Sequence, residues 1–241
     1  MLALFRTPRW AIATLVVVVL CAVFASLGRW QLQRHQERAV ENTVNAQRLS
    51  APPVSLGDML EAAGGDVTSL EYRRVVVTGR FDPANEILVR SQVANERPGF
   101  HVVTPLVTQD SVVLVNRGWV PLAVERPPVT GAPPPSGAVT VEGVVRLGQT
   151  RPSIGPIEPE GRLDVVARID LERLGQQFTD LAPVWVQQTD PPAGDLPIRL
   201  PLPDTDDPGP HLPYAVQWFS FAVIAAGGYG LLVRRALPGR R

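Results

Sequence analysis

The sequence contains no lysine, one cysteine, two methionines and only three histidines. A single cysteine excludes an internal disulfide framework, a CxxC redox pair, a CxxCH haem attachment and a thiolate zinc site. The few methionines and histidines leave almost no ligands for a dedicated copper carrier. Because 23 arginines balance 23 acidic residues, no net basic charge favours nucleic acid as a partner.

Catalytic motifs are missing as well. The sequence has no nucleophile elbow, P-loop, glycine-rich dinucleotide fingerprint or HExxH motif. A hydrolase needs a poised base beside a nucleophile, and no pair of residues in the sequence stands out in that role. We therefore expect a protein that is not an enzyme.

Charge is absent from two long apolar stretches, residues 10–28 and 212–233. As α-helices they would measure about 28 and 33 Å, which matches the hydrocarbon thickness of a bilayer. We predict two transmembrane helices, and the polar residues 29–47, which lack Pro and Gly, predict that the first helix continues past the bilayer. The alternative for the first stretch is a signal peptide cleaved near Ala25, although the apolar run exceeds the usual core of such peptides. Close packing of the two helices is favoured by small residues at every fourth position, Ala222, Ala226 and Gly230.

The charges around the second stretch predict its orientation. Aspartates precede it and arginines follow it: Asp204, Asp206, Asp207, Arg234, Arg235, Arg240 and Arg241. The positive-inside rule then places the C-terminus in the cytoplasm, and two spans return the N-terminus to the same side of the cell membrane. The expected domains are a cytoplasmic N-terminus, a first span, an extracytoplasmic domain, a second span and a cytoplasmic C-terminus, at residues 1–9, 10–28, 29–211, 212–233 and 234–241.

The middle of the chain has the alternation typical of β-strands. Short Val-rich stretches bounded by Gly, Pro, Asp or Asn predict strands at 72–78, 86–91, 101–107, 112–120, 139–147, 163–169 and 184–188. A helix is predicted at 56–63 and another after Asp170, and two loops, 126–137 and 190–213, are rich in proline. The expected fold class is an α+β membrane protein whose two transmembrane helices bracket a mostly antiparallel sheet or partial barrel.

The three histidines differ in their surroundings. His35 lies on a helix that we expect to be exposed, which favours a solvated surface residue. His101 opens a strand and is expected to be a surface or hydrogen-bonded residue. His211 stands where the second apolar stretch begins, so it is the strongest candidate for a ligand-binding imidazole.

In a helix, Tyr214 and Trp218 share the face of His211. Across from them the first helix offers Trp30, Gln31 and Arg34. Such a groove suits a large planar apolar ligand with anionic groups at one end, because imidazole binds iron, aromatic faces bind rings and guanidinium binds carboxylates. The alternative is an aromatic belt with a snorkelling arginine and a polar boundary histidine.

Several segments, in order and spacing, resemble the Surfeit locus protein 1 family over nearly the whole chain. They are LGRWQLQR at 27–34, GRFD at 79–82, VVTPL at 102–106, VNRGWVP at 115–121, GVVR at 143–146 and HLPY at 211–214, followed by Trp218. The sequence departs from the family after the first motif, where Glu37 and Arg38 stand in place of a usual lysine. This departure bears on partner contacts.

The resemblance implies a membrane assembly factor for the haem–copper cytochrome c oxidase, which helps haem a reach the catalytic subunit. In the family, the histidine before the second span is the candidate haem ligand, and it corresponds to His211, with Tyr214 and Trp218 at the aromatic positions. The alternative is a membrane scaffold that binds no haem and docks onto an oxidase subunit. A membrane-tethered sensor ranks lower, because the predicted cytoplasmic ends are too short for an output domain.

The resemblance also singles out positions in the polar domain. They are Gly79, Asn116, Arg117 and Gly118, which we expect to serve the fold or a protein interface. Arg117 is expected at a turn or at the end of a strand.

Overall fold

The computed structural model describes residues 7–123, 126–150, 159–191 and 194–237. It divides into two compact units, one formed by Met1–Val44 with Asp204–Arg241 and the other by Asn45–Pro203. The predicted cytoplasmic ends lie partly outside the described residues. The domain boundaries drawn from the sequence therefore stay predictions.

In the described chain, one long helix precedes the strands and another follows them. In chain order the elements are α1 (Pro8–Ser50), β1 (Val54–Ser55), α2 (Leu56–Ala63), β2 (Arg74–Phe81), β3 (Ile87–Ala94), β4 (Arg97–Val107), β5 (Val112–Pro121), β6 (Ala138–Leu147), β7 (Val165–Val166), α3 (Leu171–Leu174), β8 (Leu181–Gln188) and α4 (His211–Ala236). Single 3-10 turns occupy Val67–Leu70 and Pro83–Asn85.

Helices α1 and α4 are both long and apolar enough to cross a membrane. As predicted, α1 continues well beyond its apolar stretch, to Ser50. Helix α4 has Pro213 in its first turn, where the missing N–H breaks no helical hydrogen bond.

The two helices pack antiparallel along a seam with heptad spacing. The shielded positions of α1 recur at alternating intervals of four and three: Thr14, Val17, Cys21, Phe24, Gly28, Gln31 and His35. The same intervals occur in α4: His211, Ala215, Trp218, Ala222, Ala225 and Tyr229. This average of 3.5 residues is the repeat of left-handed helix pairs. Direct contacts confirm the pairing, because the Thr14 and Tyr229 hydroxyls are hydrogen-bonded and Cys21 Sγ lies 3.5 Å from the Ala222 carbonyl oxygen.

Within the described residues, five strands close into a barrel in the order β2, β6, β8, β5 and β4. The pairs Arg80 with Val107 and Phe81 with Leu106 close the ring between β2 and β4. Neighbours are antiparallel except β5 and β8, which are parallel. The prediction of a mostly antiparallel sheet or partial barrel is confirmed, and the barrel is closed.

Alternating apolar side chains fill the barrel. Val75, Val113, Val115 and Val145 are at most 1% exposed, and helix α2 packs on this cluster through Leu56 and other side chains. Burial of such a side chain contributes about 1.5–3 kcal/mol before entropy is counted. Strands that are neighbours in the sequence and strands that are far apart in it therefore both contribute to the core of the barrel.

All seven predicted strands are present, with altered lengths. The stretch 163–169 yields only Val165–Val166, because a single short parallel pairing with β3 holds it. The helix after Asp170 is also short, although the Asp170 carboxylate caps it by accepting the Arg173 N–H.

Candidate functional site

His211 begins helix α4 and faces helix α1. Its Nδ1 lies 2.9 Å from Oε1 of Gln31. When Nδ1 carries the proton and donates it to this amide oxygen, Nε2 keeps its lone pair. Hydrogen bonding of the far ring nitrogen is the usual way in which a protein orients a metal-binding histidine.

The backbone before His211 passes close to the edge of the imidazole. Gly209 has φ +84°, and a Cβ at this position would stand 3.6 Å from Nε2. The segment is held by Asp207, whose Oδ1 accepts the Gly209 N–H at 2.7 Å and whose carbonyl oxygen accepts a hydrogen bond from Asn42 Nδ2 at 3.1 Å. Among the residues that the structure describes, no hydrogen bond involves Nε2 of His211, so this nitrogen could ligate a haem iron.

A cluster of aromatic rings lies two turns into α4. The ring of Trp218 stacks on Phe24 of α1, with centroids 5.8 Å apart and an interplanar angle of 26°. Phe221 lies 5.8 Å from both rings and meets Trp218 edge-on. Offset and edge-on pairs are favourable arrangements of aromatic rings, so the cluster joins the two helices through an apolar surface about 10 Å along the axis from His211.

The other predicted site residues lie at the surface of the helix pair. Tyr214 is 49% exposed and Trp30 is 55% exposed. Arg34 pairs with Glu37 on its own helix at 3.0 Å and remains 40% exposed. The structure thus brings His211 together with Gln31, whereas the participation of Tyr214, Trp30 and Arg34 in one site stays a prediction.

Two expectations about the helices are wrong. His35 is half-buried at a seam position, with its Nδ1 shielded from solvent, instead of lying on an exposed face. Ala226 and Gly230 are exposed and not packed in the seam. The close approach is instead made by Gly28 of α1, where a Cβ would stand 2.8 Å from the ring of Phe219.

The VNRGWVP segment forms a bulged part of strand β5. Its pairing with β4 shifts between Gly118 and Asn116, which leaves Arg117 as an extra residue. The Asn116 Oδ1 accepts the Gly118 N–H at 3.1 Å. Gly118 has φ +132° and lies against the backbone of Ile198, where a Cβ would collide. The backbone of the bulge therefore explains why asparagine stands at position 116 and glycine at position 118.

The bulge places Arg117 in the interior, so the expectation of a turn or strand-end residue is wrong. Arg117 is 4% exposed, and its Nη1 lies 3.2 Å from Oε2 of Glu86, which is 1% exposed. Thr104 Oγ1 donates to the same carboxylate at 2.6 Å, and the Val129 N–H does so at 2.7 Å. Arg117 Nη2 donates to the Ala132 carbonyl oxygen at 2.7 Å. Burial lowers the pKa of Arg117, and the charge of Glu86 opposes this shift.

Gly79, the last of the positions that the resemblance singles out, and His101 also lie within the strands of the barrel. Gly79 lies where β2 meets β4, and a Cβ there would stand 2.5 Å from the Val107 carbonyl oxygen. His101 lies with its Nδ1 3.4 Å from Asn116 Nδ2, as expected for a hydrogen-bonded strand residue. Burial lowers the pKa of His101 to about 4, so its imidazole is neutral at pH 7.

Sequence reasoning missed three residues that shape these sites: Phe24, Glu86 and Gly209. The heptad spacing along α1 is a signal that would have found Phe24. Glu86 carries no such signal, because its partner Arg117 is 31 positions away in the sequence. Gly209 lies between two prolines, a pattern that indicates a turn but not its distance from His211.

Comparisons with known proteins give a consistent result. The model of the SURF1 family matches residues 18–223. The chain is 31% identical to a SURF1-like protein of Mycobacterium tuberculosis, with 100% of this chain and 89% of the relative covered. It is 31% identical to a SURF1-like protein of Drosophila melanogaster and 29% identical to one of Monosiga brevicollis, covering 86% and 96% of this chain and 72% and 93% of those relatives. The chain therefore belongs to the SURF1 family.

Proposed function

We propose that the protein is a membrane assembly factor for haem–copper cytochrome c oxidase that holds haem a transiently and delivers it to the catalytic subunit. Its membership of the SURF1 family supports a role in the assembly of this oxidase. The observation that supports haem binding is the imidazole of His211, whose Nδ1 is hydrogen-bonded to Gln31, which leaves the lone pair of Nε2 for a metal.

The helix pair offers a separate group for each part of such a ligand. Haem a supplies an iron that accepts an imidazole nitrogen, together with an apolar tail and carboxylates. His211 presents Nε2, and the rings of Trp218 and Phe24 form an apolar surface. Arg34, which is partly exposed and also pairs with Glu37, presents a guanidinium, and Tyr214 and Trp30 supply exposed aromatic faces. With a single imidazole ligand, haem is bound weakly enough to be released.

The proposal includes a topology. Residues 29–211 lie on the outer side of the cell membrane, with both termini in the cytoplasm. Arg234 and Arg235 in the last turn of α4 support this orientation through the positive-inside rule. The His211 imidazole then lies at the outer surface, where the apolar tail of haem a meets lipid and its carboxylates meet water and arginine.

The test is the absorbance of the full chain, purified in detergent from cells that make haem a. We expect haem a in the wild-type protein and its loss in His211→Ala. The matched control is His35→Gln, which changes the other histidine of the helix pair and is expected to retain haem. Unchanged haem content in His211→Ala would reject this histidine as the ligand.

The same preparation distinguishes haem carriage from scaffolding. Gln31→Leu removes the hydrogen bond that orients His211, and we expect haem affinity to fall about tenfold or more, whereas Gln33→Leu, at an exposed neighbouring position, leaves it unchanged. A stable oxidase complex in which the wild-type chain never carries haem supports the scaffold instead.

A further inference from the structure

The proline-rich loop at residues 126–137 is held on the barrel by the buried ion pair. Among its residues, Val129 and Ala132 are each 3% exposed. The Val129 N–H donates to Glu86 at 2.7 Å and the Ala132 carbonyl oxygen accepts from Arg117 at 2.7 Å. Two charged side chains of the core therefore bind the backbone of a loop that contains no helix or strand.

Directly after this anchor the loop has three consecutive prolines, Pro133, Pro134 and Pro135. Proline sets its own φ near −65° and disfavours the helical region for the residue before it, so the run is extended in the manner of polyproline II. Pro133 and Pro135 are exposed. The loop thus presents an apolar ridge. Because the prolines are already ordered in the folded protein, binding of a partner costs little further conformational entropy of this loop.

The ridge forms one wall of an open groove of about 430 Å³. Its other lining residues include Phe81, Pro83 and Val129, and Arg80 lines it as well. Arg80 is exposed, and in the part of the chain that the structure describes no carboxylate pairs with its guanidinium. An apolar groove therefore lies beside an unpaired cation.

We propose that this groove binds a segment of a partner protein that presents an aromatic side chain next to an Asp or Glu. Polyproline ridges are recognised by aromatic side chains, which pack flat on proline rings. A carboxylate beside the aromatic ring reaches the planar fork of Arg80, which favours such an anion geometrically as well as electrostatically. All of its residues belong to the unit Asn45–Pro203, whereas His211 and Gln31 belong to the other unit.

The experiment uses the full chain in nanodiscs of zwitterionic phosphatidylcholine and a library of phage-displayed random dodecapeptides. We expect selected peptides to carry Trp, Tyr or Phe within two positions of Asp or Glu. The strongest peptide, made synthetically, should lose about tenfold in affinity for Arg80→Gln, the loss typical of one charge-assisted contact. It should also bind Pro133→Ser more weakly.

The matched control is Arg90→Gln, which removes an exposed arginine of strand β3 outside the groove. We expect unchanged peptide affinity for this variant, and thermal unfolding confirms that each variant is folded. Selection without the aromatic and acidic pattern, or binding indifferent to Arg80→Gln, overturns the proposal. Binding of phosphatidylglycerol vesicles that depends on Arg80, without selected peptides, would assign the cation to lipid headgroups and overturns it as well.

Discussion

The ion pair between Arg117 and Glu86 shows how a residue inside a strand can hold a distant loop. Removing one partner leaves an unpaired charge in the core, so we expect Arg117→Met to lower the free energy of unfolding by about 3–5 kcal/mol. The measurement is denaturant unfolding of the detergent-solubilised chain. In the matched control Arg38→Gln, which breaks an exposed pair with Glu41, we expect a change of at most about 1 kcal/mol.

A second variant separates charge from packing in this cluster. If unpaired charge causes the loss, Glu86→Leu combined with Arg117→Met should be more stable than the sum of the two single losses predicts. Strictly additive losses would contradict this account.

His101 predicts a pH dependence of stability. Its folded pKa of about 4 lies below the unfolded value of about 6.5, so the unfolded state alone binds a proton as the pH falls between these values. The contribution of the neutral His101 imidazole to the free energy of unfolding is therefore fully present above pH 6.5 and is lost as the pH falls toward 4. After allowance for its partial exposure, we expect a loss of about 2 kcal/mol at pH 4.5 relative to pH 7.

The check for His101 is the difference in unfolding free energy between pH 7 and pH 4.5 in wild type and in His101→Gln. The variant should lose less stability between the two pH values, because its side chain does not titrate. Equal losses in both proteins would assign the pH dependence to other groups.

At the scale of elements, the seam between α1 and α4 includes a close approach at Gly28. A Cβ at Gly28 would stand 2.8 Å from the far end of the Phe219 ring, so Gly28→Val forces this ring to move, and we expect the helices to pack less closely. The readout is a disulfide between Cys21 and Ala222→Cys, which lie opposite each other in the seam. We expect efficient oxidation in otherwise wild-type chain and a several-fold lower yield with Gly28→Val.

The control for this pairing experiment is Gly230→Val, because a Cβ at Gly230 meets nothing within 4 Å. The disulfide yield should be unchanged in this variant. Equal loss in both variants would indicate that any bulky residue disturbs the helices, and the seam as described would be wrong.

At the scale of the whole molecule, local patterns predicted the elements but not their closure. Alternation located the strands, because each strand places one face in the core. Closure through Arg80 and Val107 depends on register between strands far apart in the sequence, which no local pattern contains. The position of His211 at the start of α4 was likewise predictable from charge and hydropathy. The buried position of Arg117 was not, since a one-residue bulge reverses which side of a strand faces the core.

The proposed topology is the last prediction and concerns the entire chain. In a Cys21→Ala background, Asp58→Cys places a thiol on the exposed surface of helix α2 and Leu237→Cys places one after helix α4. A membrane-impermeant maleimide should label position 58 in intact spheroplasts, whereas position 237 should react only after permeabilisation, because the positive-inside rule predicts that the arginines that end α4 lie in the cytoplasm. The reverse labelling pattern would indicate the opposite orientation in the membrane, with His211 at the inner surface. A mature chain that begins after Ala25 would remove most of the apolar part of α1, and with it the helix pair that orients His211 through Gln31.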